Sequence, residues 1–183
     1  MDQLLPCEDR IHWILDKGAR LLRGGAEPVS GLVLPTGTCF PDRFDGSPGS
    51  VHRLLRRVVK HAGLSDLKIE GRLVAPDGDG PDGGGGCASG ACGTGAAPGR
   101  TGTVPRVEPR RNGYRVNILA NELGNPIVLL TAMVRGVGHI FLQEAGLAST
   151  FGREDYEHGI DLTGVWLGFG TLLTNGAYVY RKG

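Results

Sequence analysis

The sequence predicts an α+β domain in which a small sheet lies beside two long C-terminal helices. Two short stretches alternate apolar and other residues with the period of a strand, and a long apolar run with helical features begins at Pro126. A glycine-rich segment separates the chain into two parts. The length of 183 residues fits one domain, and the 40% apolar share is enough for a core.

The first part of the domain, residues 1–75, is predicted to hold two helices and a strand. The stretch Glu8–Arg23 places apolar residues at helical spacing, and glycines follow it. Its apolar positions are Ile11, Ile14, Leu15, Leu21 and Leu22. Ser50 is a candidate cap for a second helix, "VHRLLRRVVKHAG", with an apolar stripe from Val51 to Val59. "LKIEGRLV" then alternates as a strand does.

Residues 76–103 are predicted to form a flexible linker. Eleven of the 32 glycines fall in this segment, which has no large apolar residue and so cannot offset its own ordering entropy. Cys87 and Cys92 lie within it. Their spacing differs from that of zinc ribbons, which leaves redox or metal use open and favours two incidental reduced thiols.

The last part, residues 104–183, is predicted to be the helical core. "GYRVNIL" alternates as a strand. Pro126 suits the first position of a helix that continues to about Gln143. A final helical element begins near Asp155, with an apolar side formed by Leu162, Val165, Trp166, Phe169 and Leu173.

Three motifs follow one another in this last part: "LLTAMVRGVGHIFL", "EHGIDL" and "GVWLGFGTLLTNGA". In this order and spacing the chain resembles a group of uncharacterised bacterial zincin-like proteins. Zincins hold zinc with His-Glu-x-x-His on a helix, and the glutamate acts as the base for a metal-bound water. The resemblance implies a zincin-like fold, a glutamate as third ligand and an acid four residues later that orients a histidine.

The resemblance also implies that the catalytic site has degenerated. Arg135 stands at the first histidine and Gly136 at the catalytic glutamate, while His139, Glu157 and Asp161 retain the second histidine, the third ligand and the orienting acid. Glycine has no proton acceptor, and arginine neither deprotonates nor tolerates a nearby zinc ion. We therefore expect Arg135 to pair with Glu157 or Asp161 and to join the two helices.

The sequence accordingly favours a catalytically inactive zincin-like domain with a structural or partner-binding role, a protein partner and no cofactor. One alternative is a metal-dependent hydrolase with a rearranged zinc site that includes His139 and Glu157. The other is a module that binds nucleic acid or an acidic partner through the basic face of the helix over residues 51–62. The basic side chains of that face are Arg53, Arg56, Arg57 and Lys60.

Net charge and hydropathy bear on whether the protein binds nucleic acid or a membrane, and on where it is located. The net charge of +1 creates no overall attraction for nucleic acid or anionic membrane. The N-terminus does not have the pattern of a secretion signal, so the expected location is cytoplasmic. Residues 163–180 carry no charge, but their glycines, threonines and Asn175 favour a buried helix over a membrane span.

Overall fold

The computed structural model describes residues 6–29, 31–75 and 106–182. These residues form an α+β fold with a small mixed sheet, as the sequence predicts. The helices are α1 (Glu8–Arg23), α2 (Pro48–His61), α3 (Pro126–Glu144), α4 (Tyr156–Gly164) and α5 (Gly170–Lys182). The strands are β1 (Ile69–Val74), β2 (Val107–Arg110) and β3 (Gly113–Leu119).

The sheet has the order β1-β3-β2 within the described ranges. β1 runs parallel to β3, with Gly71 opposite Val116, and β2 runs antiparallel to β3, with Val107 opposite the same valine. β1 precedes the glycine-rich segment and β3 follows it. The two parts of the chain therefore contribute to one sheet.

One face of this sheet packs on α2 and α3, and this corrects the expectation that both C-terminal helices lie against it. A Cβ at Gly71 would lie 3.2 Å from Cδ2 of Leu55 on α2, and one at Gly136 on α3 would lie 2.9 Å from Cγ1 of Val116. α4 lies instead across α3, where Gly138 approaches the carbonyl of Ile160. The long apolar α3 therefore lies between the sheet and α4.

The third strand, β2, was not predicted. It has four residues and contains Pro109, and proline lowers the expectation of a strand because it cannot donate to the ladder. In the structure β2 is an edge strand, where the missing donor costs little.

The final helical element is interrupted, although the sequence predicts one continuous helix. Val165–Phe169 forms a π-helical segment in which Gly168 has φ of +88°, a backbone conformation that favours glycine. A Cβ at Gly168 would lie 2.4 Å from the carbonyl oxygen of Gly31. The connection between α1 and α2, which contains Gly31, therefore also requires a glycine at position 168. Val165, which the sequence places on the apolar side of this element, is 53% exposed.

The N-terminal helices differ from expectation in burial and in capping. On α1 only Leu21 of the five apolar positions is buried, and Leu15 is 64% exposed. α2 begins three residues early, at Pro48, because the hydroxyl of Ser47 accepts a hydrogen bond from the amide of Ser50. The predicted cap residue therefore lies inside the first turn.

The predicted linker, residues 76–103 with Cys87 and Cys92, lies outside the described residues. The two cysteines within them, Cys7 and Cys39, are free thiols. In the described part of the chain, α3 is the helix whose length and composition would allow it to cross a bilayer, but 61% of it is buried within the protein. Buried core helices commonly meet the same criterion, so α3 is weak support for a membrane span.

Candidate functional site

The residues singled out by their resemblance to a zincin motif meet between α3 and α4. Arg135 and His139 are four positions apart on α3 and therefore share one face of that helix. Glu157 and Asp161 share one face of α4 in the same way. The two helices can approach because Gly138 lies against the carbonyl of Ile160, with 3.1 Å between the position of a Cβ and the oxygen.

Arg135 forms ion pairs with both acids, whereas the sequence predicts a pair with one or the other. Its Nε donates to Oδ1 of Asp161 at 2.8 Å, and its Nη2 donates to Oε2 of Glu157 at 2.6 Å. We refer to these three residues as the arginine clasp. The side chain of Glu157 is 71% exposed, so the clasp lies at the surface, where water screens each pair.

His139 lies next to the clasp and contacts an aromatic residue that the sequence did not single out. Its Nδ1 is 3.3 Å from the hydroxyl oxygen of Tyr156, and the two rings meet edge to face. Burial lowers the pKa of His139 below its usual value of 6.5, and the nearby Glu157 opposes that shift. The imidazole is therefore neutral near pH 7.

Gly136 does not face this cluster. The direction in which a side chain would extend from Gly136 leads to Val116 of β3, at 2.9 Å, and towards Arg106 beyond it. A glutamate here would require the valine or its surroundings to shift, and it would start in the direction of the sheet and not of α4. The structure thus gives this glycine a packing role that the motif alone did not indicate.

The clasp and His139 line a groove of about 840 Å³ between α1, α3, α4 and α5. Trp13 and Ile14 of α1 form one wall, and Trp13 is held there because its Nε1 donates to Oδ2 of Asp155 at 2.9 Å. Neither the tryptophan nor Tyr156 was predicted to belong to a site. Each meets its partner only through packing between distant segments, and the sequence carries no local signal of that packing.

The described residues do not fit a metal site. No group of three or more His, Cys, Asp and Glu side chains among them could hold an ion. His158 lines the same groove, but its ring lies edge-on to Trp13, with 6.3 Å between centroids. Glu157, the carboxylate suggested as a ligand, already binds a guanidinium, whose charge would repel a zinc ion.

A second polar feature borders the same groove, because Arg106 is one of the residues that line it. Arg106 donates to both carboxylate oxygens of Glu122, at 2.9 and 2.7 Å, and Glu122 is only 6% exposed. The carboxylate also accepts from the amide of Leu119 at 3.0 Å. This ion pair, which is buried at its carboxylate and 34% exposed at its arginine side chain, ties the start of β2 to the 3₁₀ turn before α3, and so it positions the groove.

The basic residues predicted on α2 lie on a different surface. Arg53, Arg56, Arg57 and Lys60 line a hollow of about 740 Å³ beside the start of β1. Arg57 is engaged there, because its Nε donates to Oδ2 of Asp42 at 2.7 Å.

Comparison with known proteins adds no assignment to this geometry. Neither a family model, nor a curated protein, nor a solved structure matches the chain.

Proposed function

We propose that this protein is a catalytically inactive zincin-like domain whose groove binds a protein partner. The arginine clasp is the observation that carries the proposal. A guanidinium joins the two helices through the acids that a zincin would use for its metal, so a fixed organic cation replaces an exchangeable inorganic one. The clasp then keeps the groove in shape without a cofactor.

The absence of a base supports the same conclusion. Hydrolysis by a zincin needs a metal-activated water and a carboxylate that accepts its proton. Gly136 supplies no acceptor, and its surroundings leave no space for one. His139 is neutral and could accept a proton, but its Nδ1 already lies beside the hydroxyl of Tyr156.

A protein partner fits the chemistry of the groove walls. Apolar side chains of α1, α4 and α5 line it together with the clasp, and a binding site of this kind combines an apolar surface with a few polar groups that fix orientation. Exposed apolar side chains continue from it along α1, including Leu15 at 64% and Leu22 at 52%. Contiguous apolar surface of this kind is typical of interaction sites.

The test combines metal content with turnover. The purified chain is analysed for bound metal and then incubated with zinc and casein, alongside His139→Ala and a control, His12→Ala, on the exposed surface of α1. The proposal predicts no stoichiometric metal and no zinc-dependent cleavage in any of the three proteins. Cleavage lost in His139→Ala but retained in His12→Ala would instead establish the rearranged hydrolase.

A further inference from the structure

The outer edge of β1 adjoins the basic hollow on α2, and the two together point to a binding site. Within the described ranges β1 pairs only with β3, and no described strand covers its other edge, which we call the open edge. The amide of Tyr114 donates to the carbonyl of Lys68. Because main-chain groups alternate in direction along a strand, Ile69, Gly71 and Leu73 direct theirs to the open edge.

The exposure of Gly71 supports this orientation. A Cβ at Gly71 would point inward to Leu55, yet the residue is exposed. Its exposed surface is therefore main chain at the edge of the sheet. An open edge of this kind can accept an additional strand from another polypeptide.

The side chains beside this edge favour an added strand that carries negative charge. Five basic and two acidic side chains line the hollow, and they belong to α2, the start of β1 and Asp42. Asp42 pairs with Arg57, and Glu70 pairs with Lys68. The excess positive charge therefore comes from one stripe of α2, formed by Arg53, Arg56 and Lys60.

We propose that an acidic, extended peptide segment of a partner protein adds to the open edge of β1. Its main chain pairs with Ile69, Gly71 and Leu73, and alternate acidic side chains meet the stripe on α2. The stripe from Arg53 to Lys60 extends about 10 Å along the helix. Side chains on one face of a strand repeat every ~7 Å, so two acidic residues fit beside it.

A polypeptide suits this surface better than nucleic acid does. An open strand edge offers hydrogen bonds in the spacing of another strand, which a sugar-phosphate chain lacks. No tryptophan, tyrosine or phenylalanine is among the residues that line the hollow, so bases would find no ring of that kind to stack on.

The experiment measures fluorescence anisotropy of the full chain with a labelled octapeptide of alternating threonine and glutamate. Arg53→Glu with Arg56→Glu is expected to weaken binding at least about tenfold, since it reverses the stripe. The matched control, Arg20→Glu with Arg23→Glu on α1, changes the net charge equally and should bind as the parent does. Thermal unfolding of both double variants verifies that they remain folded.

Two backbone-methylated peptides test strand addition itself. One carries N-methyl groups on the threonines and the other on the glutamates, so only one of them blocks the hydrogen bonds to β1. One peptide should lose at least about tenfold in affinity and the other should bind unchanged. No binding at low salt, equal binding by both methylated peptides, or equal binding of labelled oligothymidylate would each overturn the proposal.

Discussion

The contact between Gly136 and Val116 leads to a quantitative prediction about the Gly136→Ala variant. A Cβ at residue 136 would lie 2.9 Å from Cγ1 and 3.5 Å from Cγ2 of the valine. The valine cannot easily move aside, because its β-branched side chain is stiff and it is completely buried. Alanine at this position therefore overpacks the interface between α3 and β3.

Two opposing effects determine the magnitude. Overpacking of a dense core costs about 1–3 kcal/mol, while alanine is favoured over glycine within a helix by about 1 kcal/mol. We expect Gly136→Ala to lose about 1 kcal/mol of unfolding free energy overall. Val116→Ala alone removes two buried methyl groups and should cost about 2–3 kcal/mol.

The double variant separates the close contact from general effects on the helix. The alanine at position 136 would occupy space that the valine methyl groups leave, so the two losses should fall short of additivity by about 1–2 kcal/mol. Urea unfolding of the four proteins measures this coupling. The control is Gly49→Ala on α2, where a Cβ would meet no atom closer than 3.6 Å; it should be neutral or stabilising. Losses that add within about 0.5 kcal/mol would refute the close contact.

Other groups give further tests. Arg135→Met should lower the unfolding free energy by only about 1 kcal/mol, because the clasp is partly exposed. High salt should remove most of this loss. The control Arg20→Met, at an exposed pair within α1, should change the unfolding free energy little. Glu122→Ala should cost about 2–4 kcal/mol in urea unfolding, because it leaves a guanidinium without its buried partner. Burial lowers the pKa of His139 from its usual 6.5, so the unfolded chain binds a proton at this imidazole more readily than the folded protein does. Stability therefore falls as the pH drops below about 6.5. His139→Gln should remove the part of this fall that is due to the histidine. The hydrogen bond to Glu144 raises the pKa of Tyr114 to about 12, so Tyr114→Phe should remove one late step from an absorbance titration of the tyrosines.

The clasp was expected because the resemblance to zincins placed two helices together, and the spacing within each helix then selected the side chains. A separation of four residues on each of two helices fixes which side chains share a face, and unlike charges on facing helices are expected to pair. The strands β1 and β3 were predictable for the same kind of reason, since their alternation is a local pattern. The strands are therefore determined within a few residues of sequence, whereas the clasp also requires α3 and α4 to face each other.

The features that the sequence did not reveal depend on contacts between distant segments. Tyr156 meets His139 only because α4 crosses α3, and Trp13 meets Asp155 across more than a hundred residues. The exposure of the apolar stripe on α1 is another case, because periodicity shows that a helix has an apolar side but not what covers it. Gly168 resembles the other small residues of an apolar helix, and its positive φ arises from the loop that contains Gly31.

The position of Gly136 also bears on whether a zincin motif could be built into this chain. Arg135→His with Gly136→Glu would supply a zincin's residue types but would direct the glutamate into Val116 of β3. Either the helix or the packing around the valine would have to shift, at the expense of core contacts made by α3. The glycine and the valine packed against it therefore depend on each other, and packing as well as chemistry disfavours a base at this position.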